Sequence, residues 1–215
     1  MVSSTLLAFS IAALVLAMVP GPSTALVLRQ TLRSGRRLAF VTTLGNASGT
    51  LFWSVAAAFG LSTLVAASQA AYNLIKILGA FVLIGLGVHT LARVRADTRS
   101  GSADITNVSR MAPGPAGPLR AGYRVGLLTN LANPKAAGFA VSFLPQFVPA
   151  HAPVLETMLI LAVVQVLIST SWYALVAWGV NQARQAFSRP TVRRRLEQSS
   201  GIILIGFGVR MVIQP

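Results

Sequence analysis

Cysteine is absent from this 215-residue chain, and carboxylates are scarce: four Asp and Glu stand against eighteen Lys and Arg. The first absence removes disulfide frameworks, thiol chemistry and cysteine-ligated metals together. The second leaves nothing for acid–base hydrolysis, because Asp97, Asp104, Glu156 and Glu197 are the only acids and all fall in expected loops or helix ends. Two histidines, at Leu-rich or loop positions, make no metal site. No Gly-rich loop leads into Lys and Ser/Thr, so ATP is not the fuel within this chain. Neither an enzyme nor a resident cofactor or metal is therefore expected. Charge is also scarce, at 10% of residues, against about 25% in soluble domains.

What fills the chain instead is apolar. Hydrophobic residues make up 54% and the mean hydropathy is +0.68. Six apolar runs span about Thr5–Leu28, Leu38–Ala66, Ala70–Ala92, Val125–Val148, Val154–Val180 and Leu196–Ile213. Each is long enough for a bilayer core, which takes roughly 17–25 helical residues. The expected fold is an all-α integral membrane protein of six transmembrane helices. The first run has no basic residue before it and is too long for a signal-peptide core.

A net charge of +14 would ordinarily raise nucleic acid as a partner. Position decides against it. Fifteen of the eighteen basic residues lie in the loops after runs one, three and five, and the two intervening loops hold none. Positive charge marks the cytoplasmic side, so both termini are expected outside. The arginines are then explained by topology and by contact with anionic lipid. Residues 97–118, rich in Ser, Gly, Pro and charge, suggest a flexible cytoplasmic linker. The expected division is a three-helix unit at 1–94, a linker at 95–120 and a second three-helix unit at 121–215.

The fourth run is interrupted by Asn130-Leu131-Ala132-Asn133-Pro134-Lys135. Proline in mid-helix withholds a backbone donor and frees the carbonyl four residues back. Lysine at bilayer depth costs about 2.5–3.5 kcal/mol on insertion scales. A stretch bearing both suggests a cavity or a ligand rather than a bare kink. The first run is broken similarly, at Pro20-Gly21-Pro22.

An internal repeat relates the halves. Leu83-Ile84-Gly85-Leu86-Gly87-Val88-His89 and Leu204-Ile205-Gly206-Phe207-Gly208-Val209-Arg210 agree at five of seven positions, 121 residues apart. Units of three spans must be inverted relative to each other. Paired interruptions in inverted halves point to the substrate site of a secondary transporter. Both interruptions, and Asn46 in run two, lie near mid-depth when counted from the arginine loops.

The chemistry there suits a dipolar guest. Pro20, Pro22 and Pro134 free the carbonyls of Leu16, Met18 and Asn130, which suit an ammonium group. Helix restarts at Ser23 and after Pro134 offer N–H groups and positive dipole ends to a carboxylate, with Lys135 adding a full charge. An amino acid carries both groups on one carbon. The candidate substrate-binding residues are Pro20, Gly21, Pro22, Ser23, Asn46, Asn130, Asn133, Pro134 and Lys135. Gly45 and Gly49 are better explained by close helix packing. No mid-membrane acid is visible to carry a proton.

The blocks Leu16–Pro22, Gly35-Arg36-Arg37, Gly45–Gly49, Lys76–Ala80 with Gly87, Gly126–Ala136 and Pro145–Val148 together resemble the LysE/RhtB family of amino-acid exporters. The resemblance covers nearly everything outside the linker, and its P-G-P and N-P-K blocks are specific. It implies proton-driven efflux of amino acids or their derivatives across a bacterial inner membrane, with Pro20, Gly21, Pro22, Asn133, Pro134 and Lys135 as the functional core. Thr50 and Val82 depart from the family, where many members carry an acid and a tyrosine. Lacking an acid at depth, the chain suits lysine or arginine poorly as substrate. The alternative is a carrier of another small solute or an inorganic cation. A homodimer is compatible with so small a chain.

Overall fold

The structure, a computed structural model, describes residues 2–19, 21–68, 117–149, 152–179 and 190–213, with scattered positions between 74 and 92. Every regular element among these residues is helical. In chain order they are α1 (Val2–Met18), α2 (Pro22–Ser34), α3 (Arg36–Ala67), α4 (Leu119–Leu131), α5 (Pro134–Ser142), a 3-10 turn (Leu144–Phe147), α6 (Val154–Trp178) and α7 (Pro190–Ile213). Lys76, Val82 and residues 95–116 of the expected linker lie outside the described residues.

Each boundary has a local cause. Leu16, near the end of α1, would bond to the N–H of residue 20, which is proline and has none. Pro22 and Pro134 occupy the first turns of α2 and α5, where a missing N–H costs nothing. Between α2 and α3, Gly35 adopts φ 84° and ψ 170°, a region that a side chain rarely tolerates. Pro190 starts α7 six residues before the expected apolar run. Glu197, expected at a helix end, is therefore the eighth residue of α7, and it is buried.

Among the described residues two helical stretches, Arg36–Leu64 and Val154–Trp178, are long and apolar enough to cross a membrane, and a third is if α1 and α2, inclined at 58°, form one span. Large apolar side chains are exposed along the long helices while several polar ones are buried. On α6, Leu167 is 62% exposed, with Ile160, Val163 and Leu175 exposed beside it, whereas Asn46 on α3 is only 2% exposed. Apolar outside and polar within is the arrangement a lipid environment selects.

Glycine lets α3 and α4 cross in contact. A Cβ on Gly45 would collide with the backbone of Tyr123 and Leu127, and one on Gly126 with the backbone of Thr42 and Asn46. Packing therefore accounts for Gly45, as expected. Gly87, in the segment before the linker, meets Gly201 and Ile205 of α7 in the same way.

Two apolar clusters bracket a polar layer. One joins Phe9 and Leu16 of α1, Ala57, Ala58 and Leu61 of α3, Phe139 of α5, Phe143 and Phe147, and Met158, Leu161 and Ala162 of α6. Its rings interlock, with Phe139 stacked on Phe143 at 4.3 Å and Phe9 edge-on to Phe147 at 5.2 Å. The other joins Val27 and Leu28 of α2, Ala39 of α3, and Val176 and Ala177 of α6. Along α1–α2, α3 and α6 alike, the chain runs apolar, polar, apolar. The polar segments meet at mid-height.

Candidate functional site

The polar layer borders a cavity of about 80 Å³, room for several waters. Gly21, Pro22, Ser23, Asn46, Asn130, Asn133 and Lys135 all line it. Seven of the nine residues singled out from sequence thus share one wall system. Pro20 lies outside the described residues, and Pro134 sits exposed at the start of α5 without lining the cavity.

Three helices supply a connected amide–hydroxyl network. Ser23 Oγ donates to Asn46 Oδ1 at 2.6 Å. Asn130 Nδ2 donates to the same oxygen at 3.1 Å and to Thr50 Oγ1 at 3.0 Å. Thr50 Oγ1 in turn donates to the Asn46 carbonyl at 3.2 Å. This fixes the Asn130 amide with its nitrogen toward α3. Its Oδ1 is fully buried and has no partner. Such an acceptor costs about 1–3 kcal/mol when left unsatisfied, so it is a place for a donor to arrive.

Asn133 has a second duty. Its Oδ1 accepts from the Lys135 N–H at 3.0 Å, capping α5. The carbonyl of Asn130, expected to be free, accepts the N–H of Asn133 at 2.9 Å. The chain tightens into an i to i+3 turn before the proline and satisfies it locally.

Lys135 differs from expectation more instructively. Its Nζ donates to the Leu16 carbonyl at 2.8 Å, the very carbonyl that Pro20 leaves without a helical donor. The ammonium and the open carbonyl, assigned in the sequence reading to two ends of a solute, are here paired with each other. Leu16 stands in the last turn of α1, where the helix dipole is negative. The N-terminus of α2 lies on the same cavity wall, and its N-cap residue Gly21 supplies no side-chain cap. Ser23, the second residue of α2, gives its hydroxyl to Asn46.

The remaining wall comes from α6: Gln165, Ser169 and Tyr173. Gln165 Oε1 accepts from Ser54 Oγ at 3.3 Å, and Tyr173 lies beside Ser23 and Thr24. Tyr173 was missed in the sequence, although Gln165, Ser169 and Tyr173 repeat at i, i+4 and i+8, one stripe of a helix. The rest of the lining is apolar: Ala13, Ala17, Val19, Ala136 and Phe139 among it. No group of three metal-ligating side chains occurs among the described residues.

Long apolar helices gathered around a cavity with a polar wall are an arrangement that suits a membrane carrier. The chain belongs to the LysE type translocator family, whose model matches residues 14–215. It is 31% identical over 207 residues to the uncharacterized membrane protein YrhP of Bacillus subtilis, covering 96% of this chain and 97% of that one. It is 26% identical over 205 residues to the leucine efflux protein of Salmonella typhimurium, covering 94% and 92%. Identity to the membrane protein YahN of Escherichia coli is 28% over 202 residues. No solved structure matches the chain.

Proposed function

We propose that this protein exports neutral amino acids with apolar side chains from the cytoplasm by alternating access at the cavity between α1–α2, α3, α4–α5 and α6. In this reading the fold is six spans in two inverted three-helix units, the first and fourth broken at Pro20–Pro22 and Asn133–Pro134. Both termini lie outside a bacterial inner membrane.

One observation carries the reading: the Leu16 carbonyl at the negative end of α1, served by a side chain rather than by a helical N–H, and the uncapped N-terminus of α2 line the same cavity. A zwitterion is the small solute whose charges match that pair. Its ammonium would take the Leu16 carbonyl and Asn130 Oδ1. Its carboxylate would take the first N–H groups of α2. Ala13, Ala17 and Phe139 would receive the side chain. No carboxylate lines the cavity among the described residues, so a cationic side chain or a bare metal cation would lack a counter-charge. The relatives named for leucine efflux agree with this preference.

Counterflow in proteoliposomes tests it. Vesicles loaded with unlabelled leucine should accumulate labelled leucine, and vesicles loaded with lysine should not accumulate labelled lysine. Repeating the assay with and without a pH gradient reports coupling. Failure of every neutral amino acid in the panel would refute the reading.

A further inference from the structure

The cavity holds a cation of its own. Lys135 Nζ occupies the Leu16 carbonyl at 2.8 Å, and that carbonyl is where the solute ammonium of the proposed function has to bind. We propose that the two cations exchange at this oxygen, so that each amino acid bound releases one proton from Lys135. The chain's coupling proton then resides on an amine, not on a carboxylate. This inference rests on the amino-acid reading and adds its coupling residue.

The surroundings force the exchange. Around Lys135, α1 and α2 present Leu16, Val19 and Ser23, α3 presents Asn46 and Thr50, and α4–α5 present Asn130 and Asn133. Helix α6 presents Gln165, Ser169 and Tyr173. Among the described lining residues, Lys135 and Tyr173 are the titratable ones, and none is an acid. A second ammonium on the same carbonyl would stand within a few ångströms of the first, with no acidic side chain among the described lining residues to offset it. Like charges so placed exclude each other. Lysine can leave by losing its proton, which arginine cannot do.

The step balances simply. One Nζ–H bond breaks, the electron pair stays on nitrogen, and water takes the proton to the bulk. The solute ammonium then donates to the Leu16 carbonyl in place of the lost donor. The neutral amine keeps a lone pair, and it no longer repels the guest. When the solute departs toward the outside, the site is restored by a proton from that side. Solute and proton therefore cross in opposite directions, one for one, because one oxygen serves both.

The test is made on purified protein in detergent, in weakly buffered solution with a pH-indicator dye, leucine being the probe. Wild type should release close to one proton per leucine bound. Linkage then requires the leucine Kd to rise about tenfold for each unit of pH decrease over the range where Lys135 is protonated. Tyr173→Phe should still release the proton. Lys135→Gln should bind leucine with a pH-independent Kd and release none. Lys135→Arg should bind poorly and release none. Leucine binding to wild type without proton release, or with a pH-independent Kd, overturns the inference and leaves amino-acid export standing. Release that survives in Lys135→Gln and vanishes in Tyr173→Phe overturns it equally. Should no neutral amino acid bind or exchange, the functional reading falls, and the inference with it. The wild-type titration decides even if the variants fail to fold.

Discussion

Asn46 Oδ1 accepts hydrogen bonds from Ser23 on α2 and Asn130 on α4, so one amide ties three helices together. In an apolar interior this bond set is costly to break, since a buried polar atom without a partner loses about 1–3 kcal/mol. Asn46→Ala removes the acceptor of the Ser23 hydroxyl, leaves the Asn130 amide nitrogen with Thr50 alone, and opens a void beside both. We expect a lower melting temperature in detergent, corresponding to about 2–4 kcal/mol when cavity and bond losses combine, and a loss of leucine counterflow beyond the loss of folded protein. Unchanged melting would mean that the network does not hold the helices. At this scale the sequence was informative because the polar residues stand alone within apolar runs. Asn46, Asn130 and Lys135 are conspicuous for that reason, and all three line the cavity. The partner of Lys135 was not legible: its bond to Leu16 spans 119 residues. Tyr173 hid because an aromatic with a polar tip is equally at home at a membrane interface.

Helix α3 takes its place from its contacts with α4, and those contacts depend on absent side chains. At Gly126 a Cβ would meet the Thr42 carbonyl and lie 3.0 Å from the Asn46 nitrogen, both backbone atoms that cannot rotate away. Gly60, on the same α3, has nothing within 4 Å of its Cβ position. Gly126→Val should therefore push α4 off α3 and cost about 1–3 kcal/mol or more. Gly60→Ala should hold or raise stability by up to about 1 kcal/mol, because alanine is the better helix former. Thermal melts of the two variants in one detergent make the comparison, and equal effects would refute the close crossing. Hydropathy located α3 and α6 well, since both are long and predominantly apolar. It missed the first turns of α7, where Thr191, Arg194 and Arg195 obscure a helix that Pro190 begins. Backbone geometry, rather than apolar content, sets that boundary.

The whole molecule poses the question of sidedness, which the absence of cysteine makes accessible. Arginine-rich loops would lie in the cytoplasm because moving them across a membrane is opposed, and the two loops without basic residues would lie outside. Gly117 is exposed just before α4, with open space where a side chain would go, and follows the arginine-rich central stretch. Ala152 precedes α6 in a loop with no Lys or Arg. Each can carry the single cysteine of an otherwise thiol-free protein. In intact spheroplasts a membrane-impermeant maleimide should label Ala152→Cys and spare Gly117→Cys. After permeabilisation both should react. The opposite pattern would invert the orientation and, with it, the side from which the Lys135 cavity is loaded. Labelling of both positions in intact spheroplasts would mean an even number of spans between them. That would break the proposed arrangement of two inverted three-helix units.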